Sequence, residues 1–478
     1  MPTDKPMPQL ARRIRTTALA ASIALALAAC SAPAVKSTFD PPPRFAAAQP
    51  ADADPDVAWW EGFGDPVLDD LVRRAAQGNR DIRIAAERLR AARAGETVSR
   101  SALFPSIGAS ASGLKHDSHY DEATRQFVPD AKIASGGLDV SWEVDLSGRL
   151  RAGAKAAAAD TLTAEDAARG VRLLVITDVA TNYFTLAGAL RQLETTRAIS
   201  AAQDETLRLV KARERAGLAT AFDVERAQSD ASRTRAAIPP LETLVAVSRH
   251  RIAVLIGDQA FNAGTIVPFS GEARVPPTRA GQPADLLERR PDILAAKAQL
   301  EGANARREQA AAEWFPRLFL GAMIGNQGVN LNGASLGAAR FTNAAALLAM
   351  PIFNAGRTQA INDIAASGQS EALLRYEDTM VRALEDVENA LVALEAERRR
   401  EEDMRSAAGS ADAALGHARS LYSRGQIDLL PLLDAQRAQL TVKLAANDSH
   451  TQLLLDSVQL YKALGGGWQA FEPVKERS

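Results

Sequence analysis

The chain has 478 residues, of which 46% are hydrophobic and 24% are charged, and its formal net charge is −2. This balance gives no global attraction to nucleic acid or anionic lipid, which argues against a nucleic-acid-binding protein. The single cysteine excludes an internal disulfide, and a chain of this length normally forms two or three domains.

The first thirty residues are organised like a lipoprotein signal peptide. A basic segment, 12–15, precedes an apolar stretch at 17–29. That stretch is shorter than the ~20 residues of a membrane-spanning helix, so a cleaved signal peptide is predicted over 1–29. It ends in the sequence LAAC, which is similar to a lipobox and predicts lipidation of Cys30; the alternative is a signal peptide that contains a cysteine by coincidence. Ser31 follows, where an aspartate is typical of inner-membrane retention, so we expect the outer membrane.

The rest of the chain is predicted to contain two copies of one structural unit. Short motifs of the first half recur in the second half at an offset of 211 or 208 residues. They are residues 79–82 with 290–293, Phe104-Pro105 with Phe315-Pro316, Gly148-Arg149 with Gly356-Arg357, and Gly217 with Gly425. The predicted segments are a lipidated extended segment at 30–64, repeats at 65–260 and 285–465, a proline-rich connector at 261–284, and a C-terminal tail at 466–478.

Each unit is predicted to begin with a helix and to continue with a pair of strands. Asp65 suits a helix N-cap, and Pro66 then occupies the first helical position. The clearest strand, 138–145, alternates apolar with acidic or hydroxyl side chains. This pattern suits a half-buried globular sheet, or a barrel with lipid outside and water inside. The strands are expected near 104–117 and 131–145, and near 315–329 and 340–353.

A very long helix follows in each unit. Residues 150–216 contain no proline, and a helix of this length would extend roughly 100 Å. In the second unit, apolar residues recur at the alternating spacing of a coiled-coil seam. They are Leu373, Met380, Leu384, Val387, Leu391 and Leu394. The alternative is an amphipathic helix in a globular core, although globular helices rarely exceed about 20 residues.

Each long helix is predicted to turn back at a hairpin tip, near Gly217 and near Gly425. After the first tip, Thr220 can cap the returning helix with Asp223 three residues later, as in a capping box. After the second tip, Asp428 can cap the returning helix.

Four strands cannot close a barrel, because known barrels begin at about eight strands and open edges are not tolerated in lipid. If the strands cross a membrane, copies of the chain must therefore assemble, and three copies would supply twelve strands. Periodicity alone does not establish membrane strands. A periplasmic coiled-coil scaffold lipoprotein without a pore is the alternative.

An enzyme is the competing class of protein. The sequence has no glycine-rich phosphate loop, no Gly-x-Gly-x-x-Gly after a strand and no nucleophile elbow. His116 and His119 lie close together, but they fall in a polar loop that is a weak candidate for a metal site. We therefore predict no enzymatic activity, no cofactor and no metal.

Three motifs carry a resemblance to a known family: WWEGFGDP at 59–66, RRPDI at 289–293 and YKALGGGW at 461–468. With the lipobox and the duplication, they resemble the NodT-like lipoprotein branch of the TolC/OprM-type outer membrane efflux proteins. The resemblance implies a mainly α fold with a β part, in a homotrimer with a twelve-stranded outer-membrane β-barrel and a periplasmic α-barrel.

The implied function is a passive outer-membrane channel of a tripartite efflux system. Its implied partners are a periplasmic adaptor, an inner-membrane pump of the RND type and outer-membrane lipid. The branch favours small-molecule efflux, whereas drug, solvent, metal-ion and protein export all fit a channel whose wall selects little. The outer-membrane duct of a type I protein secretion system is therefore a further alternative.

The resemblance also assigns roles at the tips. Gly217, Leu218 and Gly425 match the positions where adaptor hairpins meet the duct. Asp223 matches an acidic residue that helps to tie the closed periplasmic end to a tyrosine, which Tyr422 matches. Capping by Asp223 and burial of Tyr422 are the simpler alternatives.

Two further positions belong to the implied periplasmic gate. Asp434 matches an acidic ring that lines the constriction, although a solvated helix face would have the same appearance. Where TolC has a basic residue this sequence has Ile427, and nearby Arg424 is expected to substitute.

Overall fold

The computed structural model describes residues 33–47, 56–117, 119–125, 127–128, 130–258, 260, 266–269, 271, 273–277 and 280–471. The predicted signal peptide and Cys30 lie outside these residues. Two compact units are present. Unit 1 comprises Met1–Thr38, Leu89–Ala164 and Ala296–Glu377, and unit 2 comprises Phe39–Arg88, Glu165–Ala295 and Asp378–Ser478.

The described part of the chain is mainly helical with one sheet. Its helices are α1 (Pro66–Gly78), α2 (Arg80–Ser101), α3 (Glu122–Arg125), α4 (Arg149–Arg215), α5 (Ala221–Ala236), α6 (Ile238–Leu255), α7 (Leu286–Arg289), α8 (Pro291–Ala311), α9 (Arg357–Ser423) and α10 (Leu429–Ala463). Its strands are β1 (Ser106–His116), β2 (Ala131–Val144), β3 (Arg317–Leu331) and β4 (Ala334–Ala349). Helix, two strands, long helix and returning helix therefore follow one another twice along the chain.

Unit 1 contains the sheet, which is antiparallel with the strand order β1-β2-β3-β4. Strands β1 and β4 are its two edges. Over 131–139 of β2, and again over 320–327 of β3, exposed residues alternate with half-buried ones. One face of the sheet is therefore less exposed than the other, as expected for the concave side of a curved sheet.

Polar side chains connect the helical segments of unit 1. The Arg306 guanidinium of α8 donates to both carboxylate oxygens of Asp160 in α4, at 2.5 and 2.6 Å. Arg307 of the same helix donates to the side-chain oxygen Oδ1 of Asn362 in α9 at 2.6 Å. These bonds hold α8 between the two long helices.

Unit 2 has an aromatic core. Trp59 stacks on Tyr461 with ring centroids 5.2 Å apart, and its indole N–H donates to the Gly466 carbonyl at 3.1 Å. The Tyr183 hydroxyl donates to Asp65 at 2.5 Å. Burial, followed by the hydrogen bond to Asp65, raises the pKa of Tyr183, so the hydroxyl stays protonated.

The first helix is broken where the sequence predicted continuity. Asn79 is extended between α1 and α2, and its side-chain oxygen Oδ1 accepts from the N–H groups of Asp81 and Ile82 at 2.8 and 3.1 Å. Its amide donates to the Leu255 carbonyl at 2.9 Å. Asn79 therefore ends one helix, caps the next and binds the end of α6.

Two other helix expectations differ from the structure. The first returning helix is split into α5 and α6 at Ala237, just before two prolines in the first turn of α6. Asp428 stands at the N-cap position of α10 but makes no side-chain cap bond. By contrast, Asp65 caps α1 through the N–H groups of Val67 and Leu68, as predicted.

One helix among the described residues, α4, has a stretch long and apolar enough to cross a membrane. Most of that stretch is buried within the fold. It therefore has the character of a core helix.

Candidate functional site at the hairpin tips

The first tip (216–220) joins α4 to α5. Gly217 has a φ of 74°, a left-handed conformation that glycine adopts without steric cost. Its N–H donates to the Glu214 carbonyl at 2.9 Å, and the Leu218 N–H donates to the Arg213 carbonyl at 2.8 Å. This pair of bonds is the Schellman motif, which satisfies carbonyls left free at the end of a helix.

The second tip (424–428) repeats this geometry between α9 and α10. Gly425 has a φ of 71°. Its N–H donates to the Tyr422 carbonyl at 3.0 Å, and the Gln426 N–H donates to the Leu421 carbonyl at 2.9 Å. A Cβ built on either tip glycine meets nothing within 4 Å. Both turns therefore have open space on the side where a Cβ would lie.

The returning helix α5 begins with a complete capping box. The Asp223 N–H donates to the Thr220 hydroxyl oxygen at 3.2 Å, and the Thr220 N–H and hydroxyl donate to the Asp223 carboxylate at 3.0 and 2.7 Å. These bonds to the Thr220 N–H and hydroxyl lower the pKa of the Asp223 carboxyl. The capping role predicted from the sequence is confirmed.

Tyr422 lies in a small apolar core below the tips. The buried members are Leu207, Val210, Ala227, Ala231, Leu415, Tyr422, Leu429, Leu432 and Leu433. Tyr422 is only 5% exposed. The Arg213 guanidinium lies 4.3 Å from the centre of its ring and donates to its carbonyl at 3.3 Å. A cation over an aromatic face is favourable, so Arg213 holds Tyr422 in place.

The predicted gate residues do not all meet within one chain. Among the residues that the structure describes, no hydrogen bond joins Asp223 to Tyr422. Arg424 is exposed, and Ile427 packs against the apolar core around Tyr422. The roles of these residues in a gate remain predictions.

Asp434 belongs to a charged group that the sequence analysis missed. Arg437 donates through Nε to both oxygens of Asp230 at 3.0 Å, and it lies 3.3 Å from Asp434. Asp230 is buried, whereas Asp434 is exposed. The hydrogen bond to Asp230 raises the pKa of Arg437, although burial opposes the shift. The arginine therefore joins α5 to α10 and leaves Asp434 at the surface.

The first tip also presents two apolar side chains. Leu218 is 77% exposed and Phe222 is 67% exposed. Phe222 was not singled out from the sequence. Its position beside the cap, off the stripe formed by Val224, Ala227 and Ala231, is the signal that could have identified it.

No group of three or more histidine, cysteine, aspartate or glutamate side chains suited to a metal ion occurs in the described part of the chain. His116 ends β1, and the neighbouring Lys115 and Asp117 form an exposed ion pair at 2.5 Å. That ion pair is consistent with the polar loop predicted there.

Comparison with known proteins identifies the family. The model of a family described as outer membrane efflux protein matches residues 71–258 and 283–466. The chain is 33% identical over 456 residues to outer membrane protein OprJ of Pseudomonas aeruginosa, covering 93% of this chain and 95% of OprJ. It is 34% identical over 434 residues to the pyoverdine export outer membrane protein OpmQ of the same organism, covering 89% and 91%. The solved outer-membrane channel OprN has a TM-score of 0.82 at 29% identity, covering 92% of this chain and 100% of that one.

These matches confirm the resemblance that the sequence motifs predicted, together with an outer-membrane location and a channel function in efflux. The chain belongs to the outer membrane efflux protein family.

Proposed function

We propose that three copies of this chain form a passive outer-membrane duct of a tripartite efflux system. The observation that carries the proposal is the sheet of unit 1, which has four strands and two unpaired edges, β1 and β4. Pairing β1 of one copy with β4 of the next would leave no edge in the lipid. Three copies would give a closed barrel of twelve strands.

The two faces of the sheet support a membrane location for these strands. Ile107, Leu138 and Ile324 share one face in the strand register and are exposed in the single chain. The opposite face carries serines and glycines along β1 and β2. Apolar residues toward lipid and small polar residues toward water are the pattern of an outer-membrane barrel.

The adaptor is proposed to bind at the tips. Gly217 and Gly425 allow close approach because no side chain covers them, and Leu218 and Phe222 offer exposed apolar area at the first tip. A protein partner that inserts between the tips would bury these side chains. The energy for export would then come from the inner-membrane pump, since a passive duct binds no nucleotide.

The gate is proposed to form where the tips of neighbouring copies meet. Within one chain Asp223 is bound to Thr220, and Tyr422 is covered by Arg213. Arg424 and Asp434 are exposed and would face another copy, and Asp434 also accepts a hydrogen bond from Arg437 at 3.3 Å. Small shifts of packed helices could then exchange contacts between copies, which is a two-state change.

Lipidation at Cys30 is proposed as an additional anchor. The first described residues are fixed on unit 1, because the Val35 N–H and carbonyl both bond to the Asn304 amide at 3.1 Å. The Gln369 amide donates to the Pro33 carbonyl at 3.2 Å. A lipid on Cys30 would therefore be attached close to unit 1, which holds the sheet.

The cargo is proposed to be small molecules. The name of OpmQ, pyoverdine export outer membrane protein, is that of a small-molecule exporter. Selection among cargoes would lie in the pump, since a wide water-filled duct offers few specific contacts.

The test is the native mass of the full chain extracted in mild detergent with its lipid retained. A trimer with three acylated N-termini is expected. A monomer would contradict barrel closure and would favour the coiled-coil scaffold. A trimer without acyl chains would leave the duct in place but remove the lipid anchor.

A further inference from the structure

The strand register places one acidic residue in the middle of the less exposed face of the sheet. Asp139 of β2 lies opposite Gly108 of β1 on one side and Met323 of β3 on the other. Met323 in turn lies opposite Asn343 of β4. These residues form one row across the four strands.

Gly108 makes room for the Asp139 carboxylate. A Cβ at position 108 would lie 2.8 Å from one carboxylate oxygen and 3.1 Å from the other. Any side chain there would push the carboxylate aside, so the glycine lets it lie flat over β1. The carboxylate therefore lies over the small residues of β1.

The other formal charges on this face are compensated. Glu143 is bound by Arg149 at 2.8 Å through both carboxylate oxygens, and Arg317 is paired with Glu313. Among the residues that the structure describes, the Asp139 carboxylate accepts no hydrogen bond and forms no ion pair. The face consequently carries an uncompensated negative charge at this row.

We propose that Asp139 gives the strand-lined part of the duct a preference for cationic over anionic solutes. The inference rests on the proposed trimer, in which three copies would place three such carboxylates at one level of the lumen. Fixed charges of one sign on the wall of a water-filled passage raise the concentration of the opposite ion close to that wall. Rings of acidic side chains select cations in channels for the same reason.

The test measures the local electrostatic potential at Met323, the cross-strand neighbour of Asp139. Cys30 is the only cysteine of the chain and is lipidated in the proposed state, so a Met323→Cys variant carries one free thiol. We would compare its rates of reaction with a cationic and an anionic methanethiosulfonate reagent, at low salt, in the detergent-extracted trimer. The same ratio of rates would be measured after adding Asp139→Asn.

We expect Asp139→Asn to lower the cationic-to-anionic rate ratio by about tenfold. One unit charge about 6 Å away in water changes the local concentration of a monovalent ion roughly threefold, in opposite directions for the two reagents. Raising the salt concentration should reduce the difference, because the charge is screened.

The matched control is Asp70→Asn in the same Met323→Cys background. Asp70 is an exposed carboxylate of α1 that pairs with Arg73 and Arg74. Its substitution therefore changes the net charge by the same amount as Asp139→Asn and leaves the strand face unchanged. The ratio should then stay at its starting value.

A ratio within twofold of the starting value after Asp139→Asn, in protein shown to be trimeric, would overturn the inference. A thiol that neither reagent reaches would also overturn it, because the face would then not line water. A monomeric native mass would instead contradict the proposed function.

Discussion

At the scale of single residues, Asp223 has a structural role at the first tip that is distinct from the role proposed for it in the gate. Asp223 is an N-cap partner in the single chain, and its carboxylate oxygen is already bound by Thr220. If Asp223 also bonds to a tyrosine of the gate, its carboxylate either keeps its hydrogen bonds to Thr220 or breaks them. The two roles can be separated because only one of them involves Thr220.

The gate prediction uses that separation. Asp223→Ala combined with Tyr422→Phe is expected to raise single-channel conductance and antibiotic leakage through the outer membrane. Thr220→Ala is the control, since it removes a cap bond worth about 1 kcal/mol but keeps the carboxylate. Equal leakage in the control and the double variant would assign the effect to helix capping. Unchanged conductance and leakage in the double variant would remove these residues from the gate.

The lowered pKa of Asp223 predicts how the first tip responds to acid. Its folded pKa lies below its unfolded value, so its contribution to stability is present above the unfolded pKa, about 4. It is lost as the pH falls through the folded value. Amide hydrogen exchange at the start of α5, corrected for intrinsic rates, should therefore increase below about pH 4. Asp223→Asn should abolish this dependence at the tip, and an unchanged acid response in that variant would contradict the assignment.

At the scale of elements, the two tip turns depend on the left-handed conformation of their glycines. Gly217→Ala and Gly425→Ala are each expected to destabilise the helical part by about 1–2 kcal/mol, because an L-residue is strained at this φ. Since no atom lies near either position, backbone strain is the only cost. Urea unfolding followed by circular dichroism would measure it.

The matched control for these substitutions is Gly416→Ala within α9. That glycine is exposed, has open space around it and is helical. Alanine there should stabilise the helix by up to about 1 kcal/mol. Equal effects at all three positions would mean that the tip turns are not constrained as described.

The elements show which features a sequence can predict. The absence of proline from 150–216 predicted one long helix, and α4 runs unbroken from Arg149 to Arg215. The break at Asn79 was missed, although Gly78 followed by Asn79 is a local pattern for the end of one helix and the N-cap of the next. The side chain of Asn79 is held by Leu255, which is distant in sequence. Local periodicity carries no information about such a contact.

The candidate site divides in the same way. Glycines and caps at the tips depend on neighbouring residues, so the capping box of Thr220 and Asp223 was predictable from spacing alone. The ion pair of Arg437 with Asp230 was not, since it joins two helices 207 residues apart in sequence. Contacts between copies cannot be predicted in this way, because a single sequence does not specify how its copies are arranged.

At the scale of the whole molecule, two proposed features would hold the protein in the membrane: the barrel closed through its sheet edges, and the acyl chain on Cys30. A single acyl chain gives only marginal, reversible membrane binding. A closed barrel, whose apolar face is buried in lipid, would hold the protein without any lipid anchor. If the barrel dominates, the protein is a membrane-spanning duct that is also lipidated. If the acyl chain dominates, it is a lipoprotein whose strands do not cross the membrane.

Cys30→Ser separates these possibilities. If three copies close a barrel through β1 and β4, the variant should remain with the outer-membrane fraction after washes with high salt and carbonate, because the strands themselves are buried in lipid. The signal peptidase for lipoproteins would no longer recognise the variant, so it should be exported with a signal peptide of another secreted protein. Release of folded, soluble variant would mean that the acyl chain alone holds the protein at the membrane. The exposed apolar residues of the sheet would then need a protein partner in place of lipid.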